Sequence, residues 1–382
     1  MKLRNTYKLK EVCSRLSSGK NIVAKNIFDK GDYPVYGSNG LRGYTFNKNF
    51  SGECTIIGRQ GAYCGNVRYF SGDAYMTEHA VVCVANEHAN NRYLSYLLSL
   101  MNLGRLSGQS AQPGISVQLL GEQLVYLPDV KTQNSVSKLL SELDDKIKVN
   151  NAINDNLQQL ARTLYEQFFL QYAFATEELI DDKNLSRKRP KSWGIHKAKE
   201  LFEICLGGTP DTKKVEFWNG DYNWLNSGEI ANFPVVGSEL KVSKQGIDNS
   251  ATKLMPKYST LVSITGNIRA TITAIPTCAN QSVVGIMPNN IYHESYIYPI
   301  ICDLLKYFTT ISGGNCQKHI NKATIENMFV LVPPKYVLLE YYSQVDHLYQ
   351  KIYATALESQ QLTKIREYLL PLLMNGQITI TD

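Results

Sequence analysis

Apolar residues between Thr132 and Phe174 step by three and four: Val136, Leu139, Leu143, Ile147, then Ile153, Leu157, Leu160, Leu164, Phe168. That spacing is the a/d seam of a helix that packs on another helix. No Pro or Gly interrupts it. It predicts one helix of roughly 40 residues, about 60 Å long at 1.5 Å rise per residue. Asn150 falls on the seam, where a polar residue fixes register at some cost in stability. An ordinary amphipathic helix on a globular core would share the periodicity, but such helices usually run about 8–20 residues.

The pattern occurs twice. Displaced by 205 residues, Gln112, Ile115 and Pro128 land on Gln317, Ile320 and Pro333, and Leu143, Ile147, Leu157, Leu160 and Leu164 land on Leu348, Ile352, Leu362, Ile365 and Leu369. Ile56, Ile57 and Gly61 match Leu261, Val262 and Gly266 at the same displacement. Nearer the start the displacement is 189, carrying Glu11 and Gly19 onto Glu200 and Gly208. The chain is thus a tandem duplication of globular unit and long helix.

Outside the helices the period shortens. Asp32–Tyr36, Cys54–Ile57, Val67–Phe70 and Ala80–Val84 read as strands, Arg92–Leu100 as a helix, Ser116 as the cap of a short helix and Leu124–Leu127 as a last strand. The second unit predicts strands at Thr260–Ile264 and Ser282–Ile286 and a helix over Tyr296–Thr310, with Asn321 in the capping place of Ser116. Its long helix follows Pro333-Pro334 and runs to about Leu370, with Pro371 and Gly376 as stops. The expected fold class is α+β. Two globular mixed α/β domains occupy 1–131 and 192–333, and long helices occupy 132–174 and 334–382, the latter with the C-terminal tail. Residues 175–191 form a linker, and each long helix carries the seam of a coiled-coil partner. The linker turns from acidic to basic at Arg187-Lys188-Arg189-Pro190-Lys191, a run that reads as a solvated loop or as a phosphate contact.

Composition changes this picture little. Hydrophobic residues make up 43% and charged residues 19% of 382 residues, enough for real cores and too little charge for a disordered chain. A net charge of +6 is compatible with nucleic acid but does not demand it. The 24 tyrosines are expected largely in cores or interfaces. Eight cysteines form no Cys-x-x-Cys and no zinc spacing with histidine. With no signal peptide, they read as reduced, mostly buried thiols of a cytoplasmic protein. No apolar run approaches a membrane span.

A search for chemistry finds little. Ser18-Gly19-Lys20 lacks the first glycine of a phosphate-cradling loop, and no Gly-x-Gly-x-x-Gly follows a strand. Val332-Pro333-Pro334-Lys335 lacks the polar and aromatic flanks of an adenine methyltransferase motif. The six histidines form no i,i+4 metal pair. No catalytic residue, metal site or cofactor is therefore expected in this chain. The polar loops are different. Gly37–Arg42 offers Asn39 and Arg42, Gly58–Tyr63 offers Arg59, Gln60 and Tyr63, and Gly108–Gly114 offers Gln109 and Gln112. The second unit offers Thr265, Asn267, Arg269, Asn280, Gln281, Asn315, Gln317 and Lys318. Arginine pairs bidentately with guanine, and Asn or Gln with adenine, in the major groove. These fifteen residues are the candidate DNA-binding set, although any one of them would also suit a plain turn.

Several stretches together resemble the DNA-specificity subunit of type I restriction–modification systems. Gly58-Arg59-Gln60-Gly61 with Gly65-Asn66-Val67 resembles the family's Arg-x-Gly…Gly-x-Val segment, and Ala111-Gln112-Pro113 with Ile115-Ser116 the loop before its last strand. Leu127-Pro128…Gln133…Val136 is similar to its helix start, Trp193…Gly207-Gly208-Thr209-Pro210 to the start of a head, and Leu369–Ile378 to its C-terminal ending. The resemblance implies two target-recognition domains that each read half of a split DNA site. It implies that the two long helices pair as an antiparallel coiled coil, set the spacing and dock two methyltransferase subunits, which bring S-adenosylmethionine, with two translocating nuclease subunits as optional additions. Two positions depart between the copies: Leu338 stands opposite Gln133, and Ile264 opposite Arg59.

Two other classes compete. A coiled-coil scaffold or inhibitor would bind proteins without reading DNA, and charge reversal of Arg59 and Arg269 would leave it intact. An enzyme, a nuclease or fused methyltransferase, would need the motifs that are missing.

Overall fold

The computed structural model describes residues 5–108, 113–185, 187–311 and 320–380. The chain forms two compact units, residues 1–147 with 362–382, and residues 148–361. Both are mixed α and β.

In unit 1, β1 (Asn5–Lys8), β2 (Cys13–Ser18), β3 (Tyr33–Gly37), β4 (Gly40–Thr45), β5 (Phe50–Gly58), β6 (Val67–Met76) and β7 (Ala80–Ala85) precede α1 (Asn91–Leu100), α2 (Val117–Gly121), β8 (Leu124–Leu127) and the start of α3 (Val130–Phe169), whose residues from 148 on belong to unit 2. A six-stranded sheet runs β2-β7-β5-β6-β3-β4, while β1 pairs antiparallel with β8, Asn5 opposite Leu127. The sheet and α1 enclose Ile57, Val81, Cys83, Tyr93, Leu94 and Leu98, all fully buried. Asn90 caps α1 by accepting from Tyr93 N, and Ser116 caps α2 by accepting from Leu119 N, each worth about 1 kcal/mol.

In unit 2, β9 (Leu179–Asp182) and β10 (Arg187–Pro190) lead to β11 (Gly194–Lys197), α4 (Ala198–Leu201), β12 (Glu203–Leu206), β13 (Trp218–Leu225), β14 (Leu240–Val242) and α5 (Lys244–Asp248). Then follow β15 (Thr260–Ser263), β16 (Arg269–Ile272), β17 (Thr277–Ala279), β18 (Val283–Met287), α6 (Glu294–Ile311), α7 (Lys322–Glu326), β19 (Phe329–Val332) and α8 (Lys335–Met374), whose residues from 362 on belong to unit 1. Two sheets run β12-β18-β15-β16 and β14-β13-β17. The core is aromatic: Tyr165, Phe168, Phe169, Trp193, Tyr296 and Tyr341 pack edge to face or tilted. Pro299 sits inside α6. It withholds the N–H that the Ser295 carbonyl would accept, and the Tyr341 hydroxyl supplies that donor at 2.8 Å.

The duplication is visible residue by residue. β1 lies 189 before β11, whereas β8, α2 and α3 lie 205 before β19, α7 and α8. β11 pairs with β19 as β1 does with β8, Gly194 opposite Val332.

Three expectations change. The first long helix starts at Val130, where Asp129 accepts from Thr132 N at 2.9 Å, and it ends at Phe169 rather than Phe174 because Tyr172 turns to φ +54°. The second passes through Pro371 to Met374. Pro371 lies in the last turn, where only one intrahelical bond is lost. Gly376 N and Gln377 N then close the end on Leu373 O and Leu372 O, a Schellman cap. The linker is not a loop but holds the antiparallel hairpin β9–β10, in which Arg189 donates to Asp182 at 2.9 Å and to Trp193 O at 2.6 Å.

The seam also shifts. Val136 and Leu140 are buried in unit 1. In unit 2 the buried positions are Asn150, Asn154, Ala161, Tyr165, Phe168 and Phe169, whereas Leu160 is 48% exposed. The stripe moves one position along because Tyr165, Phe168 and Phe169 are drawn into the aromatic core. Within unit 1, Arg366 Nη1 donates to Asp144 at 2.8 Å. Within unit 2, Asn150 Nδ2 donates to Glu358 at 2.8 Å, and Thr355 Oγ1 donates to Asn154.

Candidate nucleic-acid interface

Three turns of unit 1 meet at one end of its main sheet. They are the β3–β4 turn at Ser38-Asn39, the Arg59–Asn66 loop after β5, and the Thr77–His79 turn before β7. Ser38 ties them together. Its hydroxyl donates to His79 O at 2.8 Å and accepts from Arg59 N and Gln60 N at 3.1 and 3.0 Å. Arg59 N also donates to His79 O. The resulting concavity is lined by Gly37, Ser38, Asn39, Arg42, Gln60, Gly61 and His79. Asn39, Arg42 and Gln60 from the candidate set therefore converge, and Tyr63 of the Arg59–Asn66 loop is 48% exposed.

Arg59 is placed differently. Its guanidinium donates inward to Ser18 Oγ at 3.3 Å and to Glu78 O at 3.5 Å. Ser18-Gly19-Lys20 thus buttresses this loop: Gly19 N donates to Ala80 O and Lys20 N to Met76 O. Sequence reasoning missed Ser38, Arg68 and His79. Arg68 donates to Asn39 O at 3.0 Å and holds the turn from behind. Only the turn composition Ser-Asn-Gly hinted at Ser38. The flank of the Gly108–Gly114 loop joins the site, since Gly61 N donates to Pro113 O and Ile115 N to Arg59 O. Gln109 and Gln112 lie outside the described residues.

Unit 2 builds its site from two adjacent turns, brought together where Ile264 N donates to Ser282 O. In the β15–β16 turn, Ser263 Oγ donates to Asn267 O and accepts from Arg269 N. The side chains of Thr265, Asn267 and Arg269 are left exposed. In the β17–β18 turn, Asn280 Oδ1 accepts from Ser282 N at 3.0 Å, so its amide shapes the turn. Gln281 is exposed and accepts from Thr209 Oγ1 at 2.5 Å. Thr209 reaches it because Gly207 and Gly208 pass directly against this turn. A Cβ on Gly207 would fall 2.2 Å from Asn280 O, which only glycine avoids. Asn315, Gln317 and Lys318 lie outside the described residues.

The surface offers exposed amides and guanidiniums on tied turns, a chemistry suited to base edges and phosphates. Two of the buried thiols are unsuited to nucleophilic work. Burial pushes Cys54 and Cys278 up to about 12, which keeps them protonated at neutral pH. The seven described cysteines are free, and Cys54, Cys83 and Cys278 are buried. Among the described residues no group of three His, Cys, Asp or Glu could hold a metal ion. No helix there is long and apolar enough to cross a membrane.

Comparison with known proteins agrees with this architecture. The family model described as type I restriction modification DNA specificity domain matches residues 1–159 and again 190–366. Over 134 residues the chain is 38% identical to the EcoprrI specificity subunit of Escherichia coli, a match that covers 34% of this chain and 33% of that protein. It is 22% identical over 304 residues to the MjaIX specificity subunit of Methanocaldococcus jannaschii, covering 76% of this chain and 70% of that one. A crystal structure of a type I restriction–modification S subunit from M. genitalium shares the fold with a TM-score of 0.64 at 15% identity, covering 97% of this chain and 96% of that one. Two matches of one model, placed over the two copies that the sequence and the paired strands delimit, assign the chain: it belongs to the family of type I restriction–modification DNA specificity domains.

Proposed function

We propose that this chain is the sequence-reading, non-catalytic subunit of a type I restriction–modification complex, and that each unit reads one half of a split DNA target. The observation that carries this is the duplicated family match, each copy presenting tied polar turns. In unit 1, Asn39, Arg42 and Gln60 meet base edges from the concavity, Tyr63 flanks it, and Arg59 braces the loop. In unit 2, Thr265, Asn267, Arg269 and Gln281 take the readout, while Asn280 shapes its turn. Few base contacts give specificity, and Lys and Arg on phosphates give most of the affinity.

The long helices pair antiparallel. The contacts Asp144–Arg366, Asn150–Glu358 and Asn154–Thr355 support this, since numbers rise along one helix as they fall along the other. Such a pair fixes the spacing of the half-sites, as a rigid frame does for any two-site reader. It also docks two methyltransferase subunits, which hold S-adenosylmethionine, and two nuclease subunits join in cleaving complexes. The protein works in the cytoplasm, where the DNA is.

The test is a methylome with the methyltransferase partner present. Host DNA is read for N6-methyladenine with and without this gene, and with residues 192–333 exchanged for a relative's. A split motif of fixed gap is expected to vanish on deletion, and the exchange is expected to alter one half only. An active partner whose methylation pattern ignores the gene would overturn the reading in favour of a protein-binding scaffold.

A further inference from the structure

Unit 2 contains a cavity of about 530 Å³, within the range of small-molecule sites. It lies away from the two polar turns. The end of α3 supplies Tyr165 and Phe169, α6 supplies Tyr296, Ile300 and Asp303, and the β9–β10 hairpin supplies Arg187. The walls are aromatic and apolar, yet they carry unspent polar capacity. Asp303 Oδ1 pairs with Arg162 Nη2 at 2.8 Å, whereas Oδ2 is buried without a hydrogen-bond partner. Burial, and after it the neighbouring Asp303 carboxylate, hold the Tyr165 hydroxyl well above its ordinary range. A carboxylate has about four acceptor positions, so Oδ2 keeps acceptor capacity, and the soft χ2 torsion lets it turn a lone pair towards a guest. Arg187 is exposed and brings a cation to the same wall.

We propose that this cavity binds a small planar aromatic molecule that carries an N–H donor for Asp303 and an anionic group for Arg187. The ring lies among Tyr165, Phe169 and Tyr296, where aromatic contact is strongest. A DNA phosphate alone does not fit, because it offers no donor and no apolar body. Two sources share the required chemistry: an aminopurine nucleotide and an aromatic amino acid with a blocked amine.

Calorimetric titration of the full chain with adenosine monophosphate and with N-acetyltryptophan tests this and separates the sources. Binding of at least one probe is expected. Asp303→Asn should weaken it at least about tenfold, a difference of about 1.4 kcal/mol. Arg187→Ala should weaken the monophosphate but leave adenosine unchanged. Asp303→Asn also disturbs the pairing with Arg162, so Ile300→Phe, which fills the cavity without touching a charge, is the second variant and should abolish binding. The proposal is overturned if neither probe binds at about 5 mM, or if a bound probe is indifferent to Ile300→Phe.

Discussion

Gln133 and Leu338 occupy the same place in the two copies and solve the same problem differently. Gln133 is fully buried. Its Oε1 accepts from Asn90 N at 2.9 Å, and its Nε2 donates to His88 O and Pro128 O at 3.0 and 2.9 Å. It ties the start of α3 to the loop ahead of α1. Leu338 lies in the aromatic core of unit 2 and needs no such partners. Gln133→Leu would therefore leave three backbone groups unpaired in unit 1. At about 1–3 kcal/mol for each buried group so left, a loss of a few kcal/mol is expected. Urea unfolding would show it as a lower midpoint at unchanged slope, and an unchanged midpoint would refute the bracing role. The sequence makes Gln133 conspicuous as part of a helix-start pattern, but two of its three partners, Asn90 and His88, lie more than forty residues upstream. Arg59 shows the same limit. Its setting between glycines is legible, while its hydrogen bonds to Ser18 and Glu78 depend on strand pairing across the sheet.

The long helices were the most legible elements, because their apolar period persists for ten turns and no tertiary detail is needed to read it. Their face was less so. A heptad extrapolated from Val136 puts Leu160 on the seam, but a helix that leaves one packing surface for another rotates its buried stripe. Here the aromatic cluster of unit 2 selects Ala161, Tyr165 and Phe168. Ile365, the twin of Leu160, is likewise 47% exposed. Leu160→Lys should thus change stability by no more than about 0.5 kcal/mol, whereas Phe168→Ala should cost about 3–5 kcal/mol. Thermal unfolding of the two variants compares them directly, and equal losses would restore Leu160 to the seam. The β9–β10 hairpin was hidden for a related reason. Its charged composition reads as solvent-exposed, yet Arg189 and Asp182 satisfy each other at 17% and 11% side-chain exposure.

At the scale of the molecule, the duplication reads as unit, helix, unit, helix, and the family match follows that order. The packing does not. Residues 362–382 belong to unit 1, whose core takes in Leu373 and Met374 with Leu369 and Leu370 against it. Asp144, which accepts from Arg366 and from the Tyr96 hydroxyl, joins this return to α1. Nothing local in the sequence announces it, because the contacts link positions more than two hundred residues apart. A chain ending at Gln361 should expose residues 1–147 to limited proteolysis while 148–361 resists, as read by mass spectrometry of the fragments. Loss of 148–361 first would contradict the division. There is a consequence for synthesis. Residue 147 leaves the ribosome long before residue 362, by ~10–40 s at roughly 5–20 residues per second. For that interval Val136 and Leu140 have no lid. The head that is made first is closed last, and a nascent chain stalled late in translation carries an open first head beside a finished second one.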